Sequence, residues 1–162
     1  MIFENLKAGS YIEYDGELIL MRDAAHKRLK EIFESGVNLP IDIKGKLIFY
    51  AGPAKEPEIG KPGAIGPTTS KRMDKYLPFL YSLGVSGTIG KGSRSPEVCT
   101  LNREEKKVYF LAPSGAAAAL SKKILKWEIL AFEDLGTEAI QMITVARFPL
   151  IVAIDSKGNS LF

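Results

Sequence analysis

Three short segments of the chain combine cationic side chains with hydroxyls or glycines, a combination suited to binding small anions. Residues 22–28 read Arg-Asp-Ala-Ala-His-Lys-Arg, residues 66–74 read Gly-Pro-Thr-Thr-Ser-Lys-Arg-Met-Asp, and residues 87–93 read Gly-Thr-Ile-Gly-Lys-Gly-Ser. Arginine binds carboxylates through a planar, two-pronged guanidinium, and lysine binds them as a point charge. These segments therefore suggest recognition of a carboxylate or a similar anion.

The second segment predicts the start of a helix at Thr68 or Thr69. A helix start presents unpaired backbone N–H groups and partial positive charge, and both favour anions. The two threonine hydroxyls could cap the helix or contact a ligand, and Arg72 follows one turn later. The same spacing also fits a capped helix with a solvent-exposed arginine, so both interpretations stay open.

The third segment places Lys91 between two glycines, Gly90 and Gly92. A lysine on such a bare backbone can enter a narrow cleft. A nucleotide-binding phosphate loop would need glycine where Val85 stands and serine or threonine where Gly92 stands. The sequence therefore argues against nucleotide binding, and this segment taken alone is typical of an exposed turn.

The first segment lies where a predicted strand gives way to a helix. Arg22 is its most informative member, because ligand sites often form at the ends of strands. Asp23 is explained as a helix cap, and residues 27–28 as a solvated basic face. His26 is the chain's one histidine, and such a residue is more often structural than catalytic.

The composition predicts an ordinary globular protein that forms a single domain over residues 1–162. The chain is 46% hydrophobic and 25% charged, and its net charge of +3 is too small to favour nucleic acid as a partner. Cys99 is the single cysteine, so no internal disulfide is possible, which fits a reducing compartment. The first residues do not resemble a signal peptide, and no apolar stretch reaches about 20 residues. We therefore predict a soluble, cytoplasmic protein.

Periodicity predicts the elements that must position the three segments. Asp15–Gly16 is a turn signal between two strand-like runs, and the spacing of glycine and proline over residues 51–67 excludes a helix or a central strand there. Pro78 should kink or shorten the helix that contains it. The expected elements of this half are strands over residues 11–14, 18–21 and 47–50, and helices over residues 24–34 and from residue 68 or 69 to residue 83.

The second half of the chain favours strands, in an irregular order with the helices. Such an order predicts mixed α/β layers and argues against a strictly doubly wound sheet. The expected elements are helical turns over residues 96–102, a strand over 108–111, a small helix over 116–119 capped by Ser114, and strands over 127–132, 139–146 and 150–154.

Taken together, the segments resemble the C-terminal region of class I fumarases, which corresponds to the β subunit of two-subunit fumarases and tartrate dehydratases. The resemblance covers most of the chain, and the pairing of the first two segments at this separation makes it specific. The matching stretches are residues 22–28, Phe-Tyr-Ala-Gly-Pro at 49–53, Gly-Pro-Thr-Thr at 66–69, Arg-Met-Asp at 72–74 and Gly-Lys-Gly at 90–92.

This resemblance implies a three-layer fold of the swivelling β/β/α type and the reversible addition of water to the carbon–carbon double bond of a dicarboxylate. It implies that Arg22 and Arg72, helped by Thr69, bind the substrate carboxylates. Thr68 would move the proton at the substrate carbon, and Lys91 would contact a carboxylate or activate that threonine. Asp23 and His26, which match the family motif, are expected to hold these groups in position without contacting the substrate.

The family also implies a [4Fe–4S] cluster, which this chain is not equipped to bind. A cluster of this kind needs three or four cysteine thiolates, and the chain has only Cys99. The resemblance therefore implies a larger, cluster-bearing α subunit, with paired heterodimers as the assembly and no metal ligand on this chain. The substrate stays open between fumarate or malate and tartrate. Two further interpretations also remain, an anion-binding regulatory module and a structural interaction domain.

Overall fold

A computed structural model describes residues 3–53, 64–112 and 120–162. Helices and strands are mixed in an irregular order through these ranges, which confirms the mixed α/β class. No helix in the described ranges has the length and apolar character needed to cross a membrane. The elements are β1 (Tyr11–Leu20), α1 (Asp23–Glu34), β2 (Leu47–Phe49), β3 (Ala51–Pro53), β4 (Ile65–Pro67), a first 3₁₀ helix (Ser70–Tyr76), α2 (Leu77–Ser82), β5 (Gly87–Gly90), α3 (Pro96–Glu105), β6 (Val108–Leu111), β7 (Ile124–Ala131), a second 3₁₀ helix (Glu133–Glu138) and β8 (Ile140–Ile154).

The main sheet closes on itself. Strands β1, β2, β5 and β6 are parallel neighbours in that order, and β8 runs antiparallel beside β6. The same β8 also pairs antiparallel with β1 along nearly its whole length, while β7 pairs with the first half of β8. Because β8 borders both β1 and β6, these strands enclose an interior, and the helices pack outside it. This arrangement matches the expected two β layers and one helical layer.

Side chains that alternate along the strands divide the core between those layers. On β1, Leu18 and Leu20 belong to one buried cluster, and Ile19 belongs to the other. The cluster inside the closed sheet contains Leu47, Phe49, Ile89, Phe110, Phe148, Leu150 and Val152. The cluster beneath the helices contains Leu29, Ile48, Tyr50, Met73, Leu77, Leu80 and Tyr109.

The predicted hairpin at Asp15–Gly16 is wrong, because residues 11–20 form one strand. The continuous partner β8 offers hydrogen bonds along the whole of β1, so the turn signal becomes a bulge, in which Gly16 has φ of +144°. The strands predicted over residues 139–146 and 150–154 are likewise one strand. Arg147, at φ +53°, marks the irregularity in β8, and its N–H donates to the Asp15 carboxylate at 2.8 Å.

The helix predicted from residue 68 or 69 to residue 83 is also wrong in its start and its type. Thr69 forms a β-bridge with Lys91, which holds the backbone extended, so helical turns begin only at Ser70. A 3₁₀ helix comes first, and α2 follows with Pro78 in its first turn, where its missing N–H costs no hydrogen bond. Pro78 therefore shortens the α-helix, as predicted.

The predicted cap of α1 differs as well. Asp23 is the first helical residue, Arg22 occupies the N-cap position, and neither caps the helix through its side chain. The carboxylate of Glu138, from the second 3₁₀ helix, accepts the N–H of Ala24 at 3.2 Å instead. This contact ties the start of α1 to the end of the second 3₁₀ helix.

Two predicted features fall wholly or partly outside the described residues. The short helix over residues 116–119, with its cap at Ser114, lies outside them. The loop predicted over residues 51–67 lies partly outside, and its two described ends form the small antiparallel β3–β4 sheet, apart from the main one. The described part of that loop therefore agrees with the exclusion of a helix or a central strand.

Candidate active site

The candidate site lies where the parallel strands end. Strands β1 and β2 are in register through Leu20 and Phe49, and β2 and β5 through Phe49 and Ile89. Arg22 and Lys91 each stand two residues beyond that row, so the backbone places them at the same level. Adjacent strands are about 4.8 Å apart, so β1 and β5 are separated by about 10 Å. In both open and closed α/β sheets, small ligands commonly bind beyond the carboxyl ends of the parallel strands.

The chain that carries the two threonines crosses this edge between Arg22 and Lys91. The N–H of Thr68 donates to the carbonyl of Tyr50 at 2.6 Å, directly after β2. Thr69 bridges Lys91, and the N–H of Ser70 donates to the Lys91 carbonyl at 3.0 Å. Thr68 is half-buried and Thr69 exposed. The structure thus brings Thr68 between the strand that leads to Arg22 and the strand that leads to Lys91.

The Arg22 side chain lies across Gly52. A Cβ atom at residue 52 would stand 2.9 Å from Arg22 Cδ and 3.0 Å from the Thr137 carbonyl oxygen, so a larger residue would displace the arginine. Gly52 pairs in turn with Gly66, two residues before Thr68. The glycine at position 52 therefore allows Arg22 to lie against the segment that carries Thr68.

The guanidinium of Arg22 has a donor without a partner. Its Nε is buried and forms no hydrogen bond with any described residue. A buried donor of this kind costs about 1–3 kcal/mol or more when it stays unsatisfied. Such an arrangement is expected at a site that binds an anionic ligand, because the ligand supplies the missing acceptor.

Arg72 is joined to the first segment by Asp23. Its Nη2 lies 3.0 Å from Asp23 Oδ2, and both side chains are about half exposed. Because Asp23 follows Arg22 directly, the ion pair ties the Arg72 side chain to the residue next to Arg22. An exposed ion pair contributes only about 0–1 kcal/mol. A ligand carboxylate can therefore compete for the Arg72 guanidinium at little cost.

The two glycines around Lys91 have different structural roles. A Cβ atom on Gly90 would overlap Ser70 Oγ, so residue 90 must be glycine for the threonine segment to approach β5. Gly92 has φ of +81°, a left-handed conformation that glycine adopts without strain. Lys91 itself is exposed, and no salt bridge to it is present among the described residues. The lysine thus remains available to an anion.

His26 is buried behind Arg22. Its Nδ1 lies 2.7 Å from the Arg22 carbonyl oxygen, and its ring stacks on Tyr76 with centroids 5.2 Å apart. A carbonyl oxygen only accepts, so Nδ1 carries the proton, and Nε2 is a buried acceptor with no partner among the described residues. Burial lowers the pKa of His26 to about 4. The imidazole is therefore neutral near pH 7 and holds the Arg22 backbone in place.

Acidification should destabilise the wild-type chain more than a His26→Asn variant. The unfolded chain binds a proton at His26 as the pH falls below 6.5, whereas the folded chain, with a pKa of about 4, does not. Stability from the neutral imidazole is thus fully present above pH 6.5 and declines toward pH 4. Between about pH 7.5 and about pH 5 the wild type should lose about 2 kcal/mol more than the variant. Urea unfolding at several pH values measures this difference, and identical pH dependences would contradict the assignment.

One buried residue of this region was missed by the sequence analysis. The side chain of Arg94 is completely buried, and it forms an ion pair with Asp74. Nothing in the sequence links two residues 20 positions apart, and arginine is seldom buried completely.

The described residues do not form a site for an iron–sulfur cluster. No group of three or more His, Cys, Asp or Glu side chains capable of holding a metal ion occurs among them. Cys99, the single cysteine of the chain, lies on α3 and packs partly buried against the core. The donor set on this chain therefore does not fit such a cluster.

Comparison with known proteins identifies the family to which this chain belongs. The profile of the family described as Fumarase C-terminus matches residues 2–162. This chain belongs to the fumarase C-terminus family. The resemblance found in the sequence is thus confirmed, and the site just described lies in the part of the chain that defines the family.

Two kinds of relative share the fumarase C-terminus region. Fumarate hydratase 2 of Leishmania major is 40% identical over 156 residues, which cover 95% of this chain and 28% of that enzyme. The anaerobic class I fumarate hydratase of Escherichia coli (strain K12) is 42% identical over 149 residues, covering 91% of this chain and 27% of that enzyme. The beta subunit of L(+)-tartrate dehydratase from the same strain is 32% identical over 163 residues, covering 98% of this chain and 80% of the subunit.

These coverages describe how the fumarase C-terminus region is used. The chain spans less than a third of the length of the fumarate hydratases but most of the length of the tartrate dehydratase beta subunit. Both named activities belong to hydro-lyases. The region thus occurs both as part of a longer polypeptide and as a subunit.

Proposed function

We propose that this chain is the β subunit of a hydro-lyase that reversibly adds water to the carbon–carbon double bond of a dicarboxylate. The observation that carries the proposal is the placement of Arg22, Thr68, Arg72 and Lys91 at one edge of the sheet, where the buried Nε donor of Arg22 has no partner among the described residues. Three cations at one edge suit a ligand with two negative charges.

The three cations bind different parts of the ligand. Arg22 and Arg72, joined through Asp23, bind the two carboxylates, and the exposed hydroxyl of Thr69 adds a hydrogen bond. Lys91 lies on the other side of the threonine segment and neutralises charge there. Fumarate or malate and tartrate all carry the two carboxylates that this arrangement needs, and they differ in hydroxyl groups.

Thr68 moves the proton in this scheme. A hydroxyl is a weak base at its ordinary pKa, and cations nearby favour its alkoxide form. In the dehydration direction the alkoxide removes a proton from the carbon next to a carboxylate, and the electron pair forms the double bond as hydroxide leaves the neighbouring carbon. The proton on Thr68 then passes to that hydroxide, which gives water and restores the alkoxide; hydration is the reverse. The negative charge that develops spreads onto that carboxylate, where arginine donors stabilise it. His26 acts indirectly, by holding the Arg22 backbone.

The chain requires a partner for this activity. Its single cysteine cannot hold a [4Fe–4S] cluster, so we assign the cluster to a larger α subunit and place the site between the two polypeptides. Thr69 and Lys91 are exposed here and would face that subunit. The pair is expected to assemble as paired heterodimers in the cytoplasm, where the lone thiol of Cys99 stays reduced.

Anaerobic coexpression tests the proposal. The chain is produced with a cysteine-bearing candidate α subunit, the cluster is reconstituted, and fumarate, L-malate and both tartrate enantiomers are assayed. We expect turnover of one substrate pair by the complex, and neither turnover nor iron–sulfur absorbance from this chain alone. Lys126→Met replaces an exposed lysine on β7, and this control variant should keep full activity.

Three outcomes would contradict the proposal or part of it. A folded, cluster-loaded complex that turns over none of these acids would leave an anion-binding regulatory module as the better description. The absence of any stable complex with a cysteine-bearing subunit would favour a structural interaction domain. Stoichiometric iron–sulfur absorbance from the isolated chain would contradict the assignment of the cluster to the partner.

A further inference from the structure

Arg94 lies at the centre of a buried polar network beneath the candidate site. Its Nε donates to the carboxylate of Asp74, its Nη1 to Thr88 Oγ1 at 3.1 Å, and its Nη2 to the hydroxyl of Tyr50 at 3.3 Å. The guanidinium also lies 5.2 Å from the ring centroid of Tyr50 and 4.6 Å from that of Tyr109. Protein groups therefore contact both the N–H groups at the edge of the Arg94 guanidinium and its flat faces.

This burial excludes Arg94 from direct contact with a ligand, because its side chain has no exposed surface. Burial alone would lower the pKa of the guanidinium, but Tyr50 and Asp74 outweigh it and the net shift is upward, so the charge persists. A buried ion pair generally stabilises a fold no better than apolar side chains of similar volume. Any effect of Arg94 on the site must pass through the residues it holds.

Two residues that Arg94 contacts, Tyr50 and Asp74, are linked to the segments that carry Thr68 and Arg72. Tyr50 accepts the N–H of Thr68 at its carbonyl oxygen, so a shift of Tyr50 moves Thr68. Asp74 lies in the same 3₁₀ helix as Arg72, and its second carboxylate oxygen accepts the N–H of Ser95 at 2.7 Å. The ion pair thus locks the helix that carries Arg72 to the loop after β5.

The third connection runs through Tyr109. Burial raises the pKa of its hydroxyl to about 12, so the hydroxyl remains protonated. That hydroxyl lies 2.8 Å from the Gly92 carbonyl oxygen and 2.8 Å from Ser70 Oγ. Tyr109 therefore joins the residue after Lys91 to the residue after Thr69, and the Arg94 guanidinium lies over its ring.

We propose that Arg94 is a positioning residue, which sets the spacing of Thr68, Arg72 and Lys91 through Tyr50, Asp74 and Tyr109. This inference rests on the function proposed above. The segments involved are short, a 3₁₀ helix and strands of three or four residues, so they have few backbone hydrogen bonds of their own. Misplacement of a catalytic group by about 1 Å can cost about 100-fold in rate.

The test is Arg94→Lys in the assembled complex. Lysine keeps the charge but cannot bond Asp74, Thr88 and Tyr50 with one fixed fork. Arg22 is placed by β1 and Gly52, outside this network, so its own contact with a substrate carboxylate should survive even where Arg72 and Lys91 are displaced. We expect kcat to fall about 100-fold while KM rises less than about tenfold.

Two further variants separate positioning from loss of stability. Tyr109→Phe removes only one hydroxyl and keeps the ring, and it should lower kcat about tenfold, with a fall in melting temperature because its buried partners are left unsatisfied. Val152→Ala weakens the core inside the closed sheet without touching the network. At a temperature well below every melting point, Val152→Ala should keep kcat within about twofold of the wild type even when it melts as early as Arg94→Lys.

Hydrogen exchange supplies a readout that does not depend on turnover. In the Arg94→Lys complex the amides of Thr68 and Ser70 should exchange at least about tenfold faster, whereas the Val152 amide, bonded to Ser10, should not change. Unchanged exchange at Thr68 and Ser70, or a kcat loss no larger than that of Val152→Ala, would overturn the inference. If the wild-type complex has no hydro-lyase activity, the proposed function fails, and the exchange data still decide whether Arg94 positions these segments.

Discussion

Arg22→Met is expected to lower kcat/KM of the assembled enzyme about 1,000-fold, because the variant loses a partly buried charge-assisted contact to a substrate carboxylate. The wild-type guanidinium lies across Gly52 with a buried donor that no described residue satisfies. Methionine fills similar volume without charge, so the fold should persist. Most of the loss should be in KM, since the contact forms with the bound acid as well as with the transition state.

Two companion variants sharpen that test. Arg22→Lys should recover only part of the loss, since one ammonium cannot replace a fork of two donors. Arg28→Met is the matched control from the same helix, where the arginine pairs with Asp134 at 2.7 Å on an exposed surface. It should stay within about threefold of the wild type. Steady-state kinetics decides, and an Arg22→Met enzyme with near-normal KM and kcat would mean that Arg22 does not bind the substrate.

Thr68→Val should lower kcat by about 10²–10⁴-fold with a small change in KM, because valine keeps the shape of threonine and removes the hydroxyl that moves the proton. The backbone contact to Tyr50 stays, since it uses the N–H of residue 68. Thr68→Ser retains a hydroxyl and should recover much of the activity. Thr100→Val, at an exposed position of α3, is the matched control.

Isotope exchange separates proton transfer from the other steps of this reaction. The wild-type complex in heavy water should exchange the substrate hydrogen at the reacting carbon, and Thr68→Val should slow that exchange as much as it slows turnover. Normal exchange combined with slow turnover would assign the proton to another group and leave Thr68 with a binding role. Normal turnover would remove Thr68 from the site altogether.

The grouping of the site residues came from the resemblance to the family, because the residue pattern alone predicted no strand before Lys91. Arg22 does follow a predicted strand, and in the structure β5 leads to Lys91, so parallel neighbours end at the same edge. The order of the strands could not be read from the chain, however. Thr68 is held next to Tyr50 by a backbone hydrogen bond, and no local sequence pattern predicts that bond.

Errors arose where tertiary pairing overrode a local preference. Asp15–Gly16 is a good turn signal, but β8 supplies a partner on both sides of it, so the strand continues through a bulge. The helix expected at Thr68 begins later because Thr69 is held extended against Lys91. Arg94 escaped notice because its acceptors come from distant parts of the chain.

The closed sheet has a consequence for biosynthesis. Strand β1 leaves the ribosome well before its antiparallel partner β8, which ends at Ile154. One edge of β1 therefore lacks hydrogen-bond partners until β8 has been synthesised, and pairing between such distant segments is slow. Exposed strand edges promote aggregation during that interval. Production of this polypeptide should accordingly benefit from low growth temperature and from chaperones that shield unpaired strands.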